Sequence, residues 1–130
     1  MTLYLLDTNA WIAYLKGHPR VVERAWREPR LAISAVSLGE LSYGARKSAK
    51  VEANLRRVER LASLVRVLPI DERVAEAYGW LRLDLERAGR PLGANDLWIA
   101  ATAKAHDLVL VSADQAFRQV PGLRLEDWTV

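Results

Sequence analysis

Short uninterrupted apolar runs alternate along this chain with longer stretches whose apolar positions recur every three or four residues. Leu3-Tyr4-Leu5-Leu6 predicts a strand over residues 3–6, followed by a helix from Asn9 through Lys16 that Gly17-His18-Pro19 closes. A second helix is predicted from about Val21 to Arg27, where Pro29 interrupts it. Leu31-Ala32-Ile33 reads as a short buried strand, and Ser34 can cap a helix containing Val36, Leu38, Glu40 and Leu41. Gly44 and Ser48 weaken that helix before a longer charged one from about Val51 to Ser63. Leu64 to Leu68 predicts a strand ended by Pro69. Asp71 then caps a helix whose Val74, Ala77, Tyr78, Leu81 and Leu85 share one face. After the loop Gly89–Gly93, Asn95 or Asp96 opens an alanine-rich helix reaching about His106. Leu108–Val111 predicts another strand, and Leu123-Arg124-Leu125 a last one.

Near-continuous apolar strands separated by helices imply an α/β fold: a central, mainly parallel sheet of about four to five strands, covered by helices on both faces. No repeat, low-complexity tract or long linker divides the 130 residues, so one domain spanning 1–130 is expected. In such a sheet, ligands gather beyond the carboxyl ends of the strands. Asp7 and Asp114 lie at or just past two such ends, and the topology brings them to one edge although the sequence holds them far apart.

Composition narrows the chemistry. The chain has no cysteine, which removes disulfides, thiolate metal sites and cysteine nucleophiles and accords with a reducing cytoplasm. No apolar run approaches the ~20 residues of a membrane span, and no basic leader precedes the first strand, so a cytoplasmic protein is expected. The net charge of +3 hides an uneven distribution. Seven basic residues between Arg46 and Arg66 face only Glu52 and Glu59, either as a solvated helical face or as an attraction for a polyanion. Trp11, Trp26, Trp80, Trp98 and Trp128 suit core or dimer packing. They also suit stacking on unpaired bases or a groove for a partner segment, with Trp11 and Tyr14 nearest Asp7.

Four acids stand apart from ordinary surface charges: Asp7, Glu40, Asp96 and Asp114. Taken singly, Asp7, Asp96 and Asp114 each have a helix-terminal explanation, as caps or partners of a helix dipole. Glu40 has none, because it falls mid-helix on a face shared with apolar and small side chains. Gathered together they would repel, and some would stay protonated unless a cation compensated them. All-oxygen ligation selects Mg2+ or Mn2+ over zinc, and such ions suit the cutting of a phosphodiester. His18 in its Gly-His-Pro turn and His106 at a helix end offer no evident base.

Four segments make the acids recognisable: Leu5-Leu6-Asp7-Thr8-Asn9; Ser34-Ala35-Val36-Ser37-Leu38-Gly39-Glu40-Leu41; Leu92 through Ala101, containing Asn95-Asp96; and Val111-Ser112-Ala113-Asp114-Gln115-Ala116-Phe117. In that order they resemble the PIN-domain family across essentially the whole chain, with VapC-type toxins of bacterial toxin–antitoxin pairs as the nearest likeness. The tail Val120–Trp128 looks like the same subgroup. The resemblance implies a Mg2+- or Mn2+-dependent endoribonuclease, neutralised by a cognate antitoxin and commonly a homodimer. By that match Asp7 and Asp96 are direct metal ligands, while Glu40 and Asp114 complete the pocket directly or through water. Thr8, Asn9 and Ser112 are the neighbouring polar positions implied to orient ligands or the scissile phosphate. Ser112 stands where the family often has threonine, and it keeps the hydroxyl. A dehalogenase-like phosphatase would want a second aspartate where Asn9 stands, and a phosphotransfer receiver would want paired acids and a lysine not found here. A non-catalytic RNA-binding or interaction module with the same fold is the remaining alternative.

Overall fold

The computed structural model describes residues 2–28 and 30–130. Five strands form one sheet: β1 (Tyr4–Leu6), β2 (Leu31–Ser34), β3 (Arg66–Leu68), β4 (Val109–Val111) and β5 (Arg124–Glu126), in the order β3-β2-β1-β4-β5. Every neighbouring pair is parallel, so the mainly parallel sheet expected from the sequence is wholly so. Six α-helices connect the strands: α1 (Thr8–Leu15), α2 (Pro19–Arg27), α3 (Ala35–Arg46), α4 (Val51–Leu64), α5 (Glu72–Arg87) and α6 (Ala94–Ala105). A 3-10 turn, Gln115–Gln119, precedes β5.

Successive strand residues point to opposite faces, and the core divides accordingly. Leu5, Ala32 and Leu110 pack with Leu81 and Leu85 of α5, Ile99 and Ala103 of α6, and Phe117. Leu6, Ile33 and Val111 pack on the other face with Trp11 of α1, Val21 of α2, Leu41 of α3 and Leu61 of α4. That is why the strands read as continuous apolar runs rather than alternating ones, and it makes the fold an α/β/α sandwich.

Several boundaries differ from the sequence reading for local reasons. Pro19 starts α2 instead of closing α1, because a first-turn proline forfeits no helical hydrogen bond. The half-buried His18 caps α2, its Nδ1 accepting from the Val21 N–H at 3.4 Å. The expected stop at Pro29 falls outside the described residues. Gly44 does not end α3, which runs on to Arg46. Leu64 closes α4 and is exposed, so β3 begins only at Arg66. Gly93 caps α6 through its backbone, placing Asn95 and Asp96 within the first turn, not before it. No helix among the described residues is long and apolar enough to cross a membrane.

Candidate active site

Strand register assembles the site. Leu6 lies opposite Val111, so Asp7 and Ser112 leave the carboxyl edge of two adjacent strands side by side. The Asp7 N–H completes the junction by donating to the Val111 carbonyl at 3.0 Å. Chain connections diverge here: β1 leads out to β2 and β3 on one side, while β4 and β5 lie on the other. A parallel sheet opens a crevice at such a point.

Asp7 is buried, and both of its carboxylate oxygens are used. Oδ1 accepts from the Ala10 N–H at 2.8 Å, capping α1, and Oδ2 accepts from the Ser112 hydroxyl at 2.6 Å. Ser112 Oγ in turn accepts from the Asp114 N–H at 2.9 Å. One buried hydroxyl thus ties Asp7 to the loop that carries Asp114. The exposed Asp114 carboxylate accepts from the Ala116 N–H at 2.9 Å, so its capping role is real. Glu40 reaches the same edge from the middle of α3. Thr8 donates to Glu40 Oε1 at 2.6 Å and lies 2.9 Å from Ser37 Oγ. Asn9, exposed, lines the groove beside them.

Electrostatics bind the four acids into one set. Burial pushes Asp7 above the usual carboxylate range, more than the bonds from Ser112 and Ala10 pull it down, and the charges of Asp96 and Asp114 add to the rise. Asp96 is raised by burial first, then by Asp114 and Glu40. The side chain of Asp96 caps nothing, which leaves the dipole of α6, in whose first turn it lies, as its structural explanation. No three acidic, histidine or cysteine side chains among the described residues are drawn together as a ready-made metal cage. The site is a set of mutually repelling acids with room between them.

Two hollows flank the set. One, of about 400 Å3, runs from Asp7, Ser112 and Asp114 to Val21 and the tail residues Asp127 and Thr129. Its wall is anchored by Trp128, whose indole N–H donates to Glu126 at 3.0 Å beneath the guanidinium of Arg24, 4.9 Å from the ring. The other is an open groove of about 690 Å3 running from Thr8 and Glu40 to Tyr43 and Asn95. The sequence marks the tail only as a likeness, offers Asn95 only as a helix start, and assigns Tyr43 nothing at the site. Neither residue type carries chemistry by itself, and only the meeting of α3 with α6 places them together. Trp11, by contrast, is wholly buried and edge-on to Tyr14, so it belongs to the core and has no face for a base. His18 and His106 both serve helix ends.

A family model of the PIN domain matches residues 4–123. The chain belongs to the PIN-domain family. Among its relatives within that family is the tRNA(fMet)-specific endonuclease VapC of Shigella flexneri, 39% identical over 99% of this chain and 100% of that protein. Another is the ribonuclease VapC1 of Haemophilus influenzae strain R2866, 36% identical over 98% of each. The PIN fold here superposes on a DNA-bound VapBC complex from Salmonella typhimurium with a TM-score of 0.93, 40% identity, and coverage of 98% of this chain and 99% of that one. VapBC2 of Rickettsia felis, bound to a promoter DNA fragment, gives 0.90 at 33% identity over 98% and 99%. Among PIN proteins, then, this one falls with the VapC group.

Proposed function

We propose that this protein is a Mg2+- or Mn2+-dependent endoribonuclease that hydrolyses RNA phosphodiesters as the cytoplasmic toxin of a toxin–antitoxin pair. The observation that supports the reading is that Asp7, Glu40, Asp96 and Asp114 face one edge closely enough to feel one another's charge: burial, Asp96 and Asp114 raise Asp7, and burial, Asp114 and Glu40 raise Asp96. Carboxylates held partly out of water without a basic partner suit a hard divalent cation, and Mg2+ commonly takes only one or two protein carboxylates and completes its shell with water and phosphate. Asp7 and Asp96 would hold it, with Glu40 and Asp114 joining directly or through water. When bound, the ion supplies charge stabilisation at a phosphoryl oxygen and a lowered pKa for water.

The chain's own residues do the rest. Ser112 fixes the rotamer of Asp7, and Thr8 that of Glu40. Asn9 faces the groove where a strand of RNA would lie. Water adds in line to phosphorus as the opposite P–O bond breaks, one water proton ends on the departing oxygen, and no covalent enzyme intermediate forms. Because relatives carry the name tRNA(fMet)-specific endonuclease, initiator transfer RNA is the substrate to test first.

Two partner surfaces support the biological half of the reading. An apolar hollow of about 370 Å3, lined by Ile12, Leu15, Leu41, Ala45 and Val58 and rimmed by Glu40, suits an amphipathic antitoxin helix that sets an arginine among the acids. Trp80 and Leu83 stay exposed on α5, as a homodimer contact would require.

The test is cleavage of initiator transfer RNA by purified protein with Mg2+, with Mn2+ and with EDTA, beside Asp7→Asn and Asp96→Asn proteins of unchanged circular dichroism. Metal-dependent cuts absent from both variants are expected. Cleavage retained by rigorously purified Asp7→Asn protein would refute the assignment. RNA binding without any metal-dependent product would make this a non-catalytic PIN module.

A further inference from the structure

Tyr43 is the least explained side chain near the site. It lies on α3 one turn beyond Glu40, is 65% exposed, and packs into neither core. A tyrosine mid-helix forms helix less well than the alanine or lysine that solvent would accept there, so local preference and burial both argue against it. Positions three apart share a helix face, and Tyr43 accordingly lines the same open groove as Glu40, Thr8 and Asn95. Lys47, one turn further on, holds its ammonium 5.4 Å from the centre of the Tyr43 ring. Arg46 and Lys50 extend the positive charge away from the acids.

An aromatic face in an open groove, backed by cations and leading to carboxylates, has the make-up of a platform for an unpaired nucleotide. The ring takes a base of any identity, and the cations take the flanking phosphate. We propose that Tyr43 stacks on an unpaired base of the RNA strand that runs along this groove to the scissile phosphate, with Lys47 on a neighbouring phosphate. This rests on the ribonuclease reading above. It makes Tyr43 a positioning residue that selects single-stranded over paired RNA, since a base in a duplex cannot present its face.

The test uses the full-length protein carrying Asp96→Asn, to stop cleavage, and short single-stranded RNAs containing 2-aminopurine, whose fluorescence falls on stacking. Tyr43→Ala is expected to weaken binding roughly tenfold and abolish the quench, while Tyr43→Phe and Tyr43→Trp keep both and Lys47→Gln steepens nothing but lowers affinity and its salt dependence. In the cleaving protein, the same Tyr43→Ala change should lower activity on single-stranded RNA, with Tyr43→Trp restoring it. Equal binding and equal quench in Tyr43→Ala overturn the proposal and leave the ribonuclease reading untouched. Weakened binding that accompanies dissociation of a dimer, read by light scattering, also overturns it, in favour of a subunit contact. A protein that neither cuts nor binds any RNA before Tyr43 is changed fails at the ribonuclease reading itself.

Discussion

Asp96 shows how the proposed function and stability oppose one another at a single residue. Burial, then the charges of Asp114 and Glu40, raise it above the ordinary carboxylate range. A carboxyl that holds its proton more tightly folded than unfolded adds stability below its unfolded pKa, and that stability disappears as pH rises through the folded pKa. Ionising Asp96 in the metal-free protein therefore costs stability as pH rises. Asp96→Asn should raise the melting temperature in EDTA at pH 7 by a few degrees, and the advantage should shrink as pH falls towards the ordinary aspartate range. A difference that stays constant across pH in calorimetry would show that repulsion is not its source. Ser112 sets a complementary case. On the proposed role of Asp7 as a metal ligand, Ser112→Ala, which removes the donor to Asp7, should weaken Mg2+ binding about 10–100-fold. Ser112→Thr keeps the hydroxyl and should stay close to the parent in a metal titration. The acids themselves were legible in the sequence because charge beside apolar strands is costly. That Asp114 truly caps a turn, and that Asp96 caps nothing, required the backbone of Asp114 and Gly93.

At the scale of elements, strands were legible wherever both faces are buried. β1, β2 and β4 have near-continuous apolar runs because alternate residues enter separate cores. A strand starting at Leu64 overreaches β3, because Leu64 and Val65 are as apolar as the strand, yet Leu64 ends α4 and faces solvent. Hydrophobicity alone cannot tell an exposed helix end from a strand start. α2 starts at Pro19 and not near Val21 for a different reason: proline both breaks helices and begins them, and His18, by capping Val21, decides which. Leu110, central in β4 and fully buried, ties the sheet to α5 and α6. Leu110→Ala should cost about 2–5 kcal/mol in urea unfolding, with an unchanged slope against urea; a changed slope would mean the sheet itself had come apart.

For the whole molecule, parallel topology explains why residues far apart in sequence were expected to meet: adjacent strands running the same way deliver their ends to one edge. What the sequence could not convey was the space around that edge, since the hollows depend on where α3, α6 and the tail come to rest. Charge belongs to this scale as well. The exposed arginines Arg56 and Arg60 of α4 take no part in the ion pairs among the described residues, so the positive surface is open to a polyanion. RNA affinity of the Asp96→Asn protein should fall log-linearly with salt, by a slope of about −0.7 for each phosphate neutralised, and Arg56→Gln with Arg60→Gln should flatten it. A slope unmoved by both changes would place the RNA elsewhere. Light scattering is expected to give twice the 14.6 kDa of one chain, and Leu83→Asp to return it to the single mass.

The shared use of Asp7 by helix and site gives the molecule a built-in gauge. Its Oδ1 holds the Ala10 N–H, a first-turn donor of α1, while its Oδ2 and its charge belong to the crevice. Whatever changes the protonation or the orientation of that carboxylate must loosen or tighten the helix's first turn. Hydrogen–deuterium exchange at the single amide of Ala10 thus becomes a local clock for occupancy, able to follow the filling of the crevice without any reaction taking place.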